Sequence, residues 1–84
     1  MLAPTIHTNG TPRERLLDGA CEVVANLTMT LRSMTENGPN GRDYYPQGDK
    51  AMRQATAEWQ ALADKVREVR KEILALSEAI ADSE

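Results

Sequence analysis

The second half of the chain carries an apolar repeat that leaves few choices of fold. Apolar residues recur there at steps of three and four without a break. They are Met52, Ala55, Trp59, Leu62, Val66, Val69, Ile73, Leu76 and Ile80. Such steps place every member on one face of an α-helix, as in the seam of a coiled coil. The repeat therefore predicts a long helix that packs against another surface along its whole length.

A second, shorter repeat predicts a helix in the first half of the chain. Thr11 can cap a helix, Pro12 suits the first helical position, and Glu14 lies where a capping box would close. The apolar residues that follow at the same steps are Leu17, Ala20, Val24, Leu27, Leu31 and Met34. The segment from Asn37 to Pro39 then ends the helix, because it offers left-handed backbone geometry followed by a proline that cannot continue.

Together these patterns predict an all-α fold, an antiparallel two-helix hairpin with the character of a coiled coil. Within this single domain (1–84), the predicted parts are an irregular N-terminal arm (1–10), helix one (11–37), a hairpin tip loop (38–48) and helix two (49–82). Pro46 favours extended backbone at Tyr45 in the tip. Helix two is longer than helix one by about 15 Å. If the two helices are aligned from the tip, Ile73, Leu76 and Ile80 overhang.

The overhanging apolar residues require cover, which has two possible sources. The arm can fold back and place Leu2 and Ile6 on them, or another copy of the chain can cover them. Two helices alone bury too little apolar area to offset chain entropy, so we expect a homo-oligomer and leave its copy number open. The residues expected at its interface are Trp59, Val66, Ile73, Leu76 and Ile80.

The composition argues against several classes of protein. The formal net charge of the 84-residue chain is −3, which disfavours binding to duplex nucleic acid. A membrane-spanning helix needs about 18 consecutive apolar residues, and no apolar run in the sequence is that long. The leading segment lacks the pattern of a secretory signal. The only cysteine, Cys21, cannot form an internal disulfide, and the only histidine, His7, has no partners at metal-ligand spacing. We therefore expect a cytoplasmic protein with no metal, no cofactor and no membrane contact.

The predicted tip has the most unusual composition in the chain. Tyr44 and Tyr45, the only tyrosines, stand side by side next to Arg42 and Asp43. In one interpretation a tyrosine closes the end of the hairpin over Met34 and Met52. Arg42 then pairs with Asp43 or caps the C-terminus of helix one. In the other, the rings stack on a ligand while the guanidinium holds an anionic group. The sequence has no phosphate-binding glycine loop, nucleophile elbow or paired histidines, so we expect no enzymatic activity.

Two short segments carry a resemblance to known proteins. Residues 6–11 read IHTNGT and residues 39–48 read PNGRDYYPQG. With the two-helix layout, these segments resemble a group of small helical proteins encoded by phages and prophages. That resemblance implies an accessory or counter-defence role in the cytoplasm of a host cell. Several phage proteins of this size are oligomeric helical hairpins that sequester nucleotide immune signals, and others are anti-CRISPR-type inhibitors of a host protein.

The first functional hypothesis is a non-enzymatic accessory protein that sequesters a small anionic, nucleotide-like immune signal. Its ligand-binding residues would be Tyr44 and Tyr45 for stacking, Arg42 and a neighbouring chain's Arg70 for phosphate, and Asn9 and Thr11 for hydrogen bonds. The alternative is a protein–protein interaction module, either an inhibitor of a host protein or a small structural component of a virion.

Overall fold

The computed structural model describes residues 1–83 and places helices where the two repeats occur. The helices are α1 (Arg13–Glu36), α2 (Gly41–Tyr44) and α3 (Asp49–Ala81), and a 3₁₀ turn (Tyr45–Gln47) follows α2 directly. Residues 1–83 contain no strand, so the predicted all-α class is confirmed. The molecule is a rod of 62 × 18 × 16 Å. Its length is set by α3, because a helix of 33 residues spans about 50 Å.

The helices α1 and α3 pack antiparallel, and α1 is paired along its whole length. Three side-chain hydrogen bonds fix the register: Arg13 Nη2 donates to Ser83 O, Arg70 Nε donates to Thr28 Oγ1 (2.8 Å), and Trp59 Nε1 donates to Met34 O (2.8 Å). The start of α1 therefore lies level with the end of α3. The end of α1 lies level with Trp59.

This register contradicts the prediction that the C-terminal end of α3 extends past α1. In the structure α3 extends past α1 at the other end, where the tip lies. The residues that extend past α1 are the first turns of α3, over about 15 Å. The tip covers them, since α2 and the 3₁₀ turn both contact α3. The prediction assumed that the tip only reverses the chain. The tip instead runs back along α3, which displaces α1 toward the far end.

The backbone of the tip also differs from the prediction. Tyr45 is helical (φ −51°, ψ −46°) rather than extended. Pro46 lies in the first turn of the 3₁₀ segment, where its missing N–H removes no helical hydrogen bond. The chain redirects at Gly48, whose φ of 94° is the one positive value among the described residues. A residue with a side chain would be strained there.

The ends of α1 form without the predicted caps. Pro12, not Thr11, is the N-cap, and it makes no side-chain hydrogen bond. Asn37 is not left-handed (φ −117°), and its backbone N–H and its Nδ2 both donate to Ser33 O. Gly38 instead allows a close approach, because a Cβ there would lie 3.3 Å from the indole Nε1 of Trp59.

The face that α3 presents to α1 keeps one of the two predicted seam positions, that of Trp59, Val66, Ile73 and Ile80. At the other position, the next residue along the chain takes the place of the predicted one. Ala63 is 5% exposed, whereas Leu62 is 47% exposed; likewise Arg70 is half-buried, whereas Val69 is 46% exposed. The apolar stripe is wider than one seam, and the small side chain of Ala63 lets α1 approach closely. Leu62 and Val69 are left at the side of the hairpin.

The N-terminal arm folds back onto the helices, which was one of the two sources of cover. It turns at Gly10, whose N–H bonds to His7 O (3.1 Å), and Pro4 then lies against the groove between α1 and α3. Ile80 is 3% exposed within this single chain, so it does not await cover by a second copy. Leu2, which was expected on the overhang, is 95% exposed.

Candidate functional site

The tip presents one polar surface at the end of the rod, held by local hydrogen bonds. Asn40 caps α2 by accepting a hydrogen bond from the backbone N–H of Arg42 at its Oδ1 (2.9 Å). The side chain of Arg42 is exposed and, within residues 1–83, forms no ion pair with Asp43 or any other residue. The guanidinium is thus free to bind a partner.

The two tyrosines of the tip have different environments. Tyr44 is half-buried and lies against α3 beside Ala51 and Ala55. Tyr45 is 85% exposed. One ring therefore closes the end of the hairpin, as the structural interpretation expects, although it does so over alanines of α3. The other ring remains available for a partner and follows Arg42 by three residues in sequence.

The remaining predicted ligand residues lie far from the tip in the same chain. Arg70 is about 30 Å away along α3, and its Nε is bound to Thr28 Oγ1. Asn9 and Thr11 precede α1 at the opposite end of the rod, about 50 Å from the tip. A single chain therefore brings together only the three tip residues of the predicted six.

The hollow at the tip is small and carries a carboxylate. Its volume is about 160 Å³, and Tyr44, Gln47, Gln54 and Glu58 contribute to its lining. Ligand pockets for small molecules usually exceed about 300 Å³. Glu58 also disfavours a phosphate at this position. Sequence reasoning missed the two glutamines and Glu58, because which face of α3 the tip covers depends on the register.

Within residues 1–83, the charged side chains on the surface of α3 form one ion pair. Arg67 Nη1 contacts Asp64 Oδ1 at 2.8 Å, and both side chains are more than half exposed. Such a pair contributes little to stability. Within the described part of the chain, no three His, Cys, Asp or Glu side chains are grouped so that they could hold a metal ion.

We compared the chain with protein-family models, curated protein sequences and solved structures. No family model, curated protein sequence or solved structure matches the chain. The resemblance to phage-encoded proteins stays a prediction. Across residues 1–83, no helix combines the length and the apolar character that spanning a bilayer requires.

Proposed function

We propose that this chain is a non-enzymatic helical binding protein whose tip contacts a protein partner. The carrying observation is the surface formed by Arg42 and Tyr45, called here the tip surface. Both side chains are exposed, and both belong to the tip, which covers one end of a rod 62 Å long. Tyrosine and arginine, with tryptophan, are the residue types enriched among the strongest contributors to protein–protein binding.

The contacts that hold the tip backbone in place support binding to a protein partner. Tyr44 packs on α3, Asn40 caps α2, and Gly48 supplies the one backbone conformation that closes the turn. A backbone that is already ordered loses little conformational entropy on binding, so the remaining entropic cost is that of the exposed Arg42 and Tyr45 side chains.

A protein partner fits the tip better than the nucleotide-like signal of the first hypothesis. The tip offers a hollow of about 160 Å³ that Glu58 helps to line, whereas a nucleotide needs a larger concave site and positive charge for its phosphate. Arg70, the second proposed phosphate ligand, is already bound to Thr28. The resemblance to phage-encoded proteins supports a host protein as the partner and the host cytoplasm as the compartment where the two proteins bind.

We further propose that the protein works as a homo-oligomer. Within residues 1–83 only Ala63 and Ile80 are buried. A core this thin supplies little of the hydrophobic free energy that offsets the entropy of ordering a chain. Burial between chains would supply the remainder.

The tip proposal is tested by affinity capture with quantitative mass spectrometry. The baits are the wild-type protein, the double variant Arg42→Ala/Tyr45→Ala, and the control Met29→Ala, which alters an exposed apolar residue on the outer face of α1. We expect a partner that wild type and control retain equally and that the double variant loses by at least about tenfold. Equal capture by all three baits would contradict a role for the tip surface.

The nucleotide hypothesis is distinguished by calorimetry on the same three proteins. We expect no heat from a panel of cyclic and linear nucleotides. Heat with wild type that disappears in the double variant would favour the signal-sequestering function instead.

A further inference from the structure

One side of the hairpin carries apolar residues that this chain does not cover. This side, called here the flank, is formed by Val23 of α1 and by Leu62, Val69 and Leu76 of α3. Val23 and Leu76 line one groove, and Leu62 and Val69 precede Leu76 at intervals of seven residues on the same helix face. Val23, Leu62 and Val69 are each 44–47% exposed. The arm covers the Leu76 end of the flank, where Pro4 and Met1 lie, so Leu76 is half-buried and the uncovered part runs from Leu62 to Val69.

The surface area of the chain shows how much burial is missing. Its accessible surface is 6660 Å². A compact monomer of 9.3 kDa exposes about 5,000 Å². Stable interfaces bury about 800 Å² on each partner, so the excess is large enough to supply one.

The charges beside the flank fit a second copy of the same chain in one orientation. Lys65 and Glu72 are one heptad apart and border the outer edge of the flank, where Glu72 lies next to Leu76. A parallel pair, related by a twofold axis along the helices, would set the outer edge of one flank against the inner edge of the other, so Lys65 and Glu72 would not meet. An antiparallel pair centred on Val69 sets Lys65 near Glu72 of the other chain, twice by symmetry.

The same arrangement aligns the apolar residues. About an axis through Val69, Leu62 of one chain lies opposite Leu76 of the other, and Val69 meets its own copy. Met1 lies beside Leu76 and Glu72 and is 89% exposed. It would therefore reach Leu62 of the second chain, together with the exposed Leu2.

We propose that a second copy of this chain covers the flank, antiparallel to the first, about a twofold axis through Val69. The product is a four-helix bundle in which the arms extend the interface at both ends. This inference deepens the homo-oligomer part of the proposed function, and it is independent of the tip surface. The predicted interface residue Leu76 belongs to this flank. Trp59 and Ile80 instead make their contacts within one chain, where Trp59 donates a hydrogen bond to Met34 O and Ile80 is buried.

The first test is the mass in solution by light scattering. We expect wild type and Met29→Glu to show twice the 9.3 kDa chain mass. Val69→Glu should show a single-chain mass at the same concentration, because two carboxylates would meet at the axis. A monomeric wild type, or an unchanged mass for Val69→Glu, would overturn the proposal.

The second test does not depend on how well Val69→Glu folds. In a Cys21→Ser background, Val69→Cys should form an intermolecular disulfide on mild oxidation, because the two thiols meet at the axis. Leu62→Cys should crosslink with itself at least about tenfold less, since antiparallel copies of that position lie about 20 Å apart. Equal crosslinking of both variants would indicate parallel chains, and crosslinking of neither would exclude this interface.

The tests distinguish a failure of the dimer proposal from a failure of the tip proposal. Arg42→Ala/Tyr45→Ala should leave the mass and the crosslinking unchanged. Loss of partner capture without change in mass therefore concerns the tip alone.

Discussion

Trp59 joins the two long helices at the level where α1 ends. Its indole N–H donates to Met34 O (2.8 Å), one of the last-turn carbonyls that an α-helix leaves without an internal partner. Gly38 gives the ring the room to reach that carbonyl. One side chain thus closes the end of α1 and packs in the seam.

Trp59→Phe keeps most of the apolar volume but removes the donor. We expect the free energy of unfolding to fall by about 1–3 kcal/mol, because the Met34 carbonyl loses its partner in a half-buried place. Urea denaturation followed by circular dichroism measures this. Tyr45→Phe, which removes an exposed hydroxyl, serves as the control and should change stability by less than about 0.5 kcal/mol.

Gly48 lies in a backbone region (φ 94°, ψ 171°) that residues with a side chain rarely adopt. Gly48→Ala should destabilise the protein by about 1–3 kcal/mol through strain alone, since no atom lies within 4 Å of the added Cβ. Gly41→Ala is the matched control, because that glycine is helical and its surroundings are equally open. Equal stability of the two variants, measured by thermal unfolding, would show that the turn at Gly48 adapts.

At the scale of the elements, the helices were predictable because each has its own apolar repeat. The alignment between them was not. It depends on the length that the tip occupies along α3, and on the contacts of Arg13, Thr28 and Arg70, which lie far apart in sequence. One of the two predicted seam positions of α3 was off by one residue because Leu62 and Ala63 both fit an apolar stripe. The same two facts decide where the predicted site residues lie along the rod. The sequence therefore indicated the tip cluster, and it assigned Arg70 to a neighbouring chain, but it left the path of the arm open.

Arg13 holds the open end of the hairpin, where Nη2 donates to Ser83 O beyond the last turn of α3. A cation at this position also interacts favourably with the C-terminal end of the helix dipole. Arg13→Gln should therefore speed amide hydrogen exchange in the last turn of α3 while leaving the tip unchanged. Arg15→Gln, an exposed arginine on the same helix, is the control. If the amides in the last turn of α3 exchange at the same rate in wild type and both variants, the contact of Arg13 with Ser83 O does not stabilise this end of the hairpin.

At the scale of the whole molecule, an extended rod with two buried residues in its described part differs from a compact domain of its length. Its radius of gyration is 18.6 Å, against about 12 Å for a compact chain of 84 residues. A second rod laid along the flank would bury the uncovered apolar residues and leave both tips exposed. Because the pair is antiparallel, the two tip surfaces would point to opposite ends of the dimer. Such a dimer would be able to bind two partners at once.

Small-angle X-ray scattering of the wild-type protein tests this arrangement most directly, because it gives the mass and the longest dimension together. The axis through Val69 lies near the middle of α3, so the two rods overlap over almost their whole length. We predict twice the 9.3 kDa chain mass with a maximum dimension of about 70 Å. A single-chain mass, or a dimer longer than about 100 Å joined end to end, would contradict a flank covered by a second copy.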